Sequence, residues 1–317
     1  MPDQPHNPID PRPLGVTGIL ASPITLGTSF LGAGTSPGSA DEAAAVELAR
    51  AMLHGPYALI DTSNNYAKGR SEEVLGLAFS SGGAAEGRSI VTKVDEDPAT
   101  RAFDRDRVRR SFEESCRRLG VDRLGLLHLH DPYSITFEEA AAPGGAIAGM
   151  IELKEEGLVD AIGIAAGTVS LMRQYVATEA FDVLLTHNRY TLVDRSALPL
   201  IEDAVNLGMG VFNAAPFGGG LLARGSASGA NYAYTASPPE LLEWVGKVEH
   251  LCADHGIELP TAALHFSLRS PLVDSTIVGI SSAKRIDQLE RMRQTDVPAS
   301  FWEDLEALGT PPSNIAD

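Results

Sequence analysis

Short apolar segments alternate with amphipathic helical patterns along almost the whole chain of 317 residues. Each apolar segment has the length of a β-strand, and helix-like stretches of roughly ten to sixteen residues lie between the segments. Strands that alternate with helices form a parallel sheet, and eight such units close into a barrel. Eight segments fit the pattern: residues 24–26, 57–61, 89–94, 124–130, 161–165, 183–187, 210–213 and 275–278.

The helical pattern is clearest in residues 104–119 and 239–255. In the first of these stretches, Val108 and Phe112 recur at helical spacing, and charged residues occupy the other face. The sequence "SADE" at residues 39–42 is a capping-box signal ahead of the first helix. No change of composition and no linker divides the chain, which favours one barrel over two separate domains.

The predicted fold is therefore of the α/β class, a single (β/α)8 TIM barrel domain over residues 14–317. An N-terminal β-hairpin is expected before the first strand, and "ASFWEDLEALG" near the end indicates an extra C-terminal helix. Residues 1–13, "MPDQPHNPIDPRP", are expected to form a flexible lead-in. Residues 215–238 form a long Gly/Ser/Ala-rich loop, and such loops are usually functional or disordered.

Acidic residues outnumber basic ones by 42 to 25, which gives a formal charge of −17. Nucleic acids and anionic membrane surfaces need a basic patch on their protein partner, so we expect neither as a partner. No apolar run approaches the roughly 18 residues of a transmembrane helix, and the N-terminus lacks the pattern of a signal peptide. We expect a cytoplasmic protein in which Cys116 and Cys252 are buried reduced thiols. The sequence carries no indication of the oligomeric state.

Polar residues stand at or near the ends of three predicted strands, where the active site of such a barrel lies. Asp61 closes the second strand, Lys93 falls near the end of the third, and His130 closes the fourth. The alternation of side chains along a strand allows all three to point into the barrel mouth. Tyr66 follows Asp61 in the next loop, so a carboxylate, an ammonium group, an imidazole and a phenol are predicted to converge.

Each of these groups has a physical role in proton transfer. A phenol with a pKa of about 10 exchanges protons poorly at neutral pH, and a nearby ammonium group lowers that pKa. We therefore expect Lys93 to lower the pKa of Tyr66 and Asp61 to pair with Lys93, since an unpaired buried cation is costly. His130 is expected to hydrogen-bond and orient the substrate oxygen. Proton transfer to or from an alcohol or carbonyl oxygen is the companion of hydride transfer.

The stretch "IDTSNNYAKGRSEEVLG" resembles, nearly position for position, the signature of the aldo-keto reductases. Lys93 in "VTKV" and His130 in "LLHLHDP" fill the other two places of that family's Asp–Tyr–Lys–His tetrad. The resemblance extends from "LGTSFLG" at the first strand to "STIVGISS" at the eighth. It implies an NAD(P)-dependent oxidoreductase that acts on a small molecule, with Asp61, Tyr66, Lys93 and His130 as catalytic residues.

Within that family, the chain is similar to dehydrogenases of L-fucose, D-threo-aldoses or galactose, and to pyridoxal 4-dehydrogenases. The stretches "THNRYTLVDRSALPLI", "NAAPFGGGLLA" and "FWEDLEALG" carry this likeness. It implies oxidation of the anomeric hydroxyl of an aldose to a lactone, with pyridoxal oxidation or general aldehyde reduction as the alternative. Tyr133, in "HDPY", and residues 224–234 are expected to border the substrate.

The cofactor site implied by the resemblance departs from the family pattern at the nicotinamide end. Many relatives have Ser-Asn where this chain has Ala165 and Ala166, and the usual stacking aromatic falls at Ala214. The basic residue that many relatives use for the 2′-phosphate of NADP appears as Ser281, so NAD is favoured over NADP. Backbone amides after the eighth strand can hold a phosphate. The implied cofactor contacts are Ser29, Phe30, His187, Asn188, Pro216, Phe217, Gly218, Gly220, Leu221, Gly279, Ser281, Ser282, Arg285 and Gln288.

Three other interpretations are weaker. The glycine-rich "LGAGTSPG" at residues 31–38 suggests a Rossmann fold, but a short-chain dehydrogenase needs Tyr-x-x-x-Lys, and no tyrosine here has a lysine four residues later. His128 and His130 on one strand face suggest a metal-dependent hydrolase, yet "VGISS" after the eighth strand supplies no carboxylate and His187 is the only later strand-end histidine, so no metal is expected. His128 is more consistent with a hydrogen-bonded core residue. A non-catalytic, cofactor-sensing subunit is the remaining alternative.

Overall fold

The computed structural model describes residues 9–312 of the chain. Eight parallel strands close into a barrel in chain order, and the last of them pairs with the first. The (β/α)8 barrel predicted from the strand–helix alternation is thus confirmed. The strands are β1 (Arg12–Pro13) and β2 (Leu20–Ala21) of a hairpin, then the barrel strands β3 (Ile24–Gly27), β4 (Leu59–Asp61), β5 (Ser89–Val94), β6 (Leu124–His130), β7 (Val159–Ala166), β8 (Val183–His187), β9 (Gly210–Ala214) and β10 (Ser275–Gly279).

Helices connect the strands and cover the outside of the barrel. The first, at Ala40–Leu53, begins where the capping signal predicted, because the Ser39 side chain accepts a hydrogen bond from the backbone N–H of Glu42 at 3.1 Å. The helices are α1 (Ala40–Leu53), α2 (Arg70–Gly82), α3 (Arg105–Leu119), α4 (Phe137–Ala141), α5 (Ala146–Glu155), α6 (Val169–Val176), α7 (Leu198–Asn206), α8 (Leu221–Arg224), α9 (Pro239–Asp254), α10 (Leu259–Leu268), α11 (Ala283–Gln294) and α12 (Ala299–Ala307).

Two strand boundaries differ from the prediction by two residues. Tyr57 and Ala58 are buried but precede β4, which pairs with β5 only from Leu59 onward. Strand β7 begins earlier than predicted, at Val159, because that residue pairs with Leu124 at the start of β6. Apolar composition marks buried residues, whereas the pairing partner determines which of them are in a strand.

The N-terminal hairpin closes the end of the barrel where the strands begin. Leu14, between β1 and β2, is fully buried against Gly210, the first residue of β9. The expected lead-in over residues 1–13 therefore extends too far, since Arg12 and Pro13 already pair with β2. Residues 1–8 of that lead-in lie outside the described residues.

The long loop over residues 215–238 folds into short helical turns that include α8. Leu221, Leu222 and Tyr232 from this loop are buried in a second apolar cluster with Trp244 of α9 and Phe301 of α12. Each fully buried aliphatic or aromatic side chain contributes about 1.5–3 kcal/mol. The predicted C-terminal helix is present as α12. Its apolar face packs against the loop after β9 and helps to fix that loop.

Within residues 9–312, no helix combines the length and the apolar composition that crossing a bilayer requires. Both cysteines of the chain are free thiols. Burial raises the pKa of Cys116 to about 11 and that of Cys252 to about 12, so both remain protonated at neutral pH.

Candidate active site

Asp61 and Lys93 form a buried ion pair at the carboxyl ends of adjacent strands. The Lys93 Nζ lies 2.7 and 2.8 Å from the two Asp61 carboxylate oxygens, and it also donates to the Thr62 carbonyl at 2.6 Å. Lys93 is 1% exposed and Asp61 is 3% exposed. Burial alone would lower the pKa of Lys93, but Asp61 and then Tyr66 outweigh it and raise that pKa. Lys93 therefore keeps its positive charge, and its hydrogen bonds fix the orientation of the ammonium group.

Tyr66 lies directly above this pair. Its hydroxyl is 3.3 Å from the Lys93 Nζ, which lies 4.6 Å from the centre of the phenol ring. Tyr66 begins a short 3-10 turn, Tyr66–Gly69, in which Ala67 and Lys68 have left-handed backbone angles. Two consecutive non-glycine residues with φ near 50–60° are unusual and costly, and they directly follow Tyr66 in the chain.

The pKa of Tyr66 is raised, not lowered as the sequence led us to expect. Burial of the phenol is the largest influence and outweighs the attraction of Lys93, so the pKa rises to about 12. At neutral pH the group is therefore a hydroxyl rather than a phenolate. The distance to Lys93 agrees with the prediction, but the extent of burial does not follow from the sequence.

His130 contacts both Tyr66 and a carboxylate that the sequence analysis missed. Its ring meets the Tyr66 ring edge to face, with 5.8 Å between the ring centres. Its Nδ1 lies 2.7 Å from an oxygen of Asp95, the residue that follows β5. The Ser63 hydroxyl donates to the other Asp95 oxygen and lies 3.2 Å from the same ring nitrogen. Asp95 stands two residues after Lys93, so strand alternation was the signal that could have identified it.

On the side of His130 nearer solvent, Asp131 is a second missed carboxylate. One of its oxygens is 3.6 Å from His130 Nε2, and the other is 3.8 Å from His187 Nε2. His187 in turn accepts a hydrogen bond at its Nδ1 from the Asn188 side chain at 3.0 Å. The barrel mouth thus brings together Tyr66, two histidines and two acids, with the buried Asp61–Lys93 pair beneath them.

His128 lies one layer deeper and is fully buried. Its ring packs edge-on against Phe212, with 6.0 Å between ring centres, and lies against the backbone of Gly163. Burial lowers the pKa of His128 well below its usual range, so its imidazole is neutral. Among residues 9–312, no three histidine, cysteine or carboxylate side chains are grouped so that they could hold a metal ion.

Tyr133 borders the mouth from the loop after β6. The Tyr133 side chain is half exposed, and its hydroxyl accepts a hydrogen bond from the Gly167 N–H at 2.8 Å. Tyr234, in the loop after β9, is 74% exposed. An exposed aromatic ring beside a cluster of polar groups, such as that of Tyr133, provides an apolar contact for a polar small molecule.

A cavity of about 770 Å³ lies beside the mouth, between the loop after β9 and helix α11. Five of the residues that the resemblance assigned to the cofactor line this cavity. Arg224, Arg291 and Glu258 also line it, although the resemblance did not assign them to the cofactor. A second cavity of about 570 Å³ adjoins it and is lined by Phe30, Ser281 and Ser282. The five assigned residues in the larger cavity are Phe217, Gly279, Ser281, Arg285 and Gln288.

The other assigned cofactor residues do not line these two cavities, and packing accounts for some of them. Gly218 is buried, and a Cβ there would lie 2.1 Å from the Tyr232 ring. Leu221 belongs to the second apolar cluster. Cofactor contact stays a prediction for Ser29, His187, Asn188, Pro216, Gly218, Gly220 and Leu221.

The chain matches the sequence model of the aldo/keto reductase family over residues 23–310. It is 32% identical over 205 residues to a D-threo-aldose 1-dehydrogenase from a Pseudomonas species, a match that covers 64% of this chain and 62% of that protein. It is 26% identical to pyridoxal 4-dehydrogenase from Microbacterium luteolum, over 94% of this chain and 97% of that one. L-galactose dehydrogenase from Arabidopsis thaliana is 28% identical, with coverages of 97% and 96%.

Among solved structures, a putative aldo-keto reductase from Pseudomonas aeruginosa superposes with a TM-score of 0.65 at 27% identity. The superposition covers 89% of this chain and 94% of that one. The likeness therefore holds for the barrel as a whole and not only for the strand-end motifs.

Proposed function

The chain belongs to the aldo/keto reductase family and is an NAD(P)-dependent oxidoreductase, and we propose that it oxidises the anomeric hydroxyl of a small aldose to a lactone. The observation that carries the proposal is the buried Asp61–Lys93 pair with the Tyr66 hydroxyl 3.3 Å from Lys93. The relatives named for D-threo-aldose and L-galactose support a sugar substrate.

The residues of the mouth suit an alcohol or carbonyl oxygen. The Tyr66 hydroxyl donates a hydrogen bond to that oxygen, and the fixed ammonium group of Lys93 stabilises negative charge that develops on it. Asp61 holds Lys93 in place through their ion pair, and because both side chains are buried, water does not compete for the contact. His130, beside the Tyr66 ring, makes the second polar contact with the substrate oxygen.

The larger cavity carries positively charged side chains that can bind the phosphates of a nicotinamide dinucleotide. Arg224, Arg285 and Arg291 line it, and helix α11 begins beside it at Ser282, whose side chain does not cap the helix. These groups provide a local cationic site for phosphates in a chain with a formal charge of −17. A bound dinucleotide supplies the hydride acceptor, and this chain's own residues hold the phosphates and orient the substrate.

Near the mouth, Asn188 offers a further point of contact. Its side-chain oxygen is buried without a hydrogen-bond partner among the described residues. A buried amide oxygen without a partner costs about 1–3 kcal/mol. An amide N–H from a ligand would satisfy it, and the carboxamide of nicotinamide carries such a group.

We propose NAD as the preferred cofactor. Glu258 lines the cavity among the three arginines. A carboxylate accepts hydrogen bonds from the two ribose hydroxyls of NAD, and it repels the 2′-phosphate of NADP. Replacing Glu258 with Gln should therefore narrow the preference for NAD over NADP in kcat/KM. An unchanged ratio of the two kcat/KM values would show that Glu258 does not determine the cofactor preference.

The direct test follows nicotinamide absorbance with NAD and NADP separately against L-fucose, D-arabinose, galactose, pyridoxal and a simple aldehyde. We expect NAD to be reduced with at least one of the sugars, and the product to react as a lactone. Turnover of pyridoxal alone would favour the activity named for the Microbacterium luteolum relative. Turnover only of the aldehyde, with NADPH, would replace the proposal with a general reductase.

The assay also separates catalysis from cofactor sensing. Tight binding of the dinucleotide without turnover of any compound would contradict the proposed reaction. A titration of protein fluorescence with NADH, run beside the assay, measures binding independently of turnover.

A further inference from the structure

Helix α3 carries a row of polar side chains beside its apolar row. The apolar row includes Val108 and Phe112, which belong to the main apolar cluster of the barrel. One residue earlier at each turn, polar residues recur at the same helical spacing and form what we call the polar stripe. Buried polar groups need hydrogen-bond partners, so this row requires a specific neighbour. The polar stripe consists of Arg107, Ser111, Glu114, Ser115 and Arg118, of which Arg107, Ser111 and Ser115 are buried.

The partner of the polar stripe is Asn64, which lies two residues before Tyr66 in the chain. Asn64 is 6% exposed. Three acceptors on the stripe lie 3.1–3.3 Å from its side-chain nitrogen, and the nearest of them is the Ser111 carbonyl. The Asn64 backbone N–H donates to the Lys93 carbonyl at 3.1 Å. Helix α3 thus holds the segment between Asp61 and Tyr66 against the strand that carries Lys93.

Arg107 joins this segment to the residue that follows β5. Its Nη2 donates to the Asn64 side-chain oxygen at 3.2 Å, and its Nε donates to the Asp95 carbonyl at 2.8 Å. Its Nη1 pairs with Glu114 of the same helix at 3.0 Å. The Arg107 side chain is 3% exposed, so water does not compete for these contacts. One planar guanidinium therefore fixes Asn64 and Asp95 relative to each other.

Arg118 contacts the chain on both sides of Tyr66. Its Nη1 donates to the Asn64 carbonyl at 3.0 Å. Its guanidinium also lies against Gly69, the last residue of the turn that begins with Tyr66, where a Cβ would be 2.6 Å from the guanidinium carbon. Glu72 is fully buried, accepts from the same Nη1 at 3.0 Å and holds Arg118 there. The turn that carries Tyr66 is thus fixed at its start and at its end.

The turn needs this support because its backbone is strained. Ala67 and Lys68 both have left-handed angles, and such residues persist only where the surrounding contacts over-determine them. The Tyr66 hydroxyl is 3.3 Å from the Lys93 Nζ, a distance that a small shift of the turn would change. Lys93 is fixed independently by Asp61. The position of the phenol, rather than that of the ammonium group, therefore depends on α3.

We propose that Arg107 and Arg118 are positioning residues, which hold Tyr66 over Lys93 from the outside of the barrel. The inference rests on the proposed function, in which the Tyr66 hydroxyl contacts the substrate oxygen. Neither arginine lines the two cavities beside the mouth, so neither is expected to contact the cofactor. A misplacement of roughly 1 Å in a reacting group costs about 10²-fold in rate. The two arginines should therefore affect the rate of the reaction and not the binding of its cofactor.

The first test measures oxidation by Arg107→Met and by Arg118→Met, with the substrate found in the assay above. In both variants kcat should fall by about 10²-fold, while KM for the nicotinamide cofactor stays unchanged. Arg110→Met is the matched arginine control, since Arg110 lies on the exposed face of α3 and its loss should leave kcat unchanged.

Two further variants separate positioning from loss of stability. Val108→Ala removes a buried side chain from the apolar row of the same helix, so it should lower the unfolding temperature and leave kcat unchanged. Asn64→Ala leaves Arg107 its other contacts on α3 and after β5, so this variant should fold. Its kcat should still fall, because the segment before Tyr66 has lost its anchor. An equal loss of kcat in Val108→Ala, at an equal loss of stability, would overturn the positioning role.

The second test observes Tyr66 without substrate, by fluorine NMR of the whole protein labelled with fluorotyrosine. Tyr66→Phe assigns the signal among the seven tyrosines of the chain. The Tyr66 signal should shift or broaden in Arg107→Met and Arg118→Met, and it should stay unchanged in Val108→Ala. An unchanged Tyr66 signal in both arginine variants would overturn the proposal.

The positioning role and the proposed function fail in different ways. Normal sugar oxidation by both arginine variants would overturn the positioning role and leave the proposed function intact. If the unaltered protein oxidises no hydroxyl compound, the proposed function fails, and the fluorine signal still decides whether α3 holds Tyr66 in place.

Discussion

Lys93 is held by three oxygen atoms inside the barrel mouth, and this arrangement makes the site rigid. A buried ion pair is not necessarily a source of stability, because desolvation of both charges opposes their attraction. Its value here is the fixed position of the ammonium group below Tyr66. The cost appears when one partner is removed and the other is left charged and buried.

Replacing Lys93 with Met should therefore destabilise the protein by about 3–5 kcal/mol, because Asp61 keeps a buried charge without a partner. Thermal unfolding of the purified variant measures this. Lys247→Met is the control, since Lys247 pairs with Glu243 on an exposed helix face and such a pair contributes at most about 1 kcal/mol. Equal losses in the two variants would mean that the Asp61–Lys93 pair is better solvated than its burial indicates.

Strand alternation was sufficient to predict that Asp61, Lys93 and His130 would meet, because a barrel fixes where strand ends lie. It was not sufficient for the protonation of Tyr66, which depends on how deeply the folded chain buries the phenol. Nor did it identify Asp95 as the partner of His130, since a carboxylate just past a strand end is most often a turn residue.

At the level of elements, close packing of helices α2 and α3 depends on Gly76. A Cβ at this position would lie 1.9 Å from the carbonyl oxygen of Arg118, in the last turn of α3. The two helices thus approach through a point where only glycine fits. Such a contact is invisible in the sequence, where glycine inside a helix pattern only lowers the helix propensity.

Gly76→Ala should destabilise the protein by about 1–3 kcal/mol or more, because the backbone of α3 must move to admit the methyl group. Gly246→Ala, in the interior of α9, is the matched control. Its nearest neighbour would be the Ser226 hydroxyl at 3.7 Å, so the change should stabilise α9 by roughly 0.5–1 kcal/mol. Unfolding midpoints in urea compare the two variants. Stabilisation by both would contradict the close approach of α2 and α3.

Amino-acid composition alone did not predict the structure of the loop after β9. Its glycines and serines predicted a long irregular segment, yet Leu222 and Tyr232 anchor it in an apolar cluster below the mouth. The Tyr232 hydroxyl also donates to the Asn188 carbonyl at 2.8 Å. Two or three apolar residues in a glycine-rich stretch were enough to order it, and their partners on α9 and α12 are distant in sequence.

Across the whole molecule, the candidate catalytic residues lie at one end of the barrel and the hairpin that closes it lies at the other. The polar cluster occupies the carboxyl ends of the strands, and the hairpin with Leu14 closes the other end. This division is typical of the fold and lets substitutions at one end be tested without disturbing the other.

Leu14→Ala should cost about 2–5 kcal/mol, because Leu14 is fully buried where the barrel closes. KM for the cofactor should not change at temperatures where the variant is folded. Leu20→Ala in the same hairpin is the control, since Leu20 is 52% exposed and should be close to neutral. A change of KM in Leu14→Ala would show that the two ends of the barrel are coupled.

The most direct test of the catalytic role of the barrel mouth compares NADH formation by the unaltered protein and by Tyr66→Phe, with NADH binding measured by fluorescence in both. We predict that Tyr66→Phe binds NADH equally well, while oxidation of the sugar falls by about 10²–10⁴-fold, because the hydroxyl beside Lys93 is lost. Unchanged oxidation by Tyr66→Phe would contradict the assignment of the barrel mouth as the catalytic site.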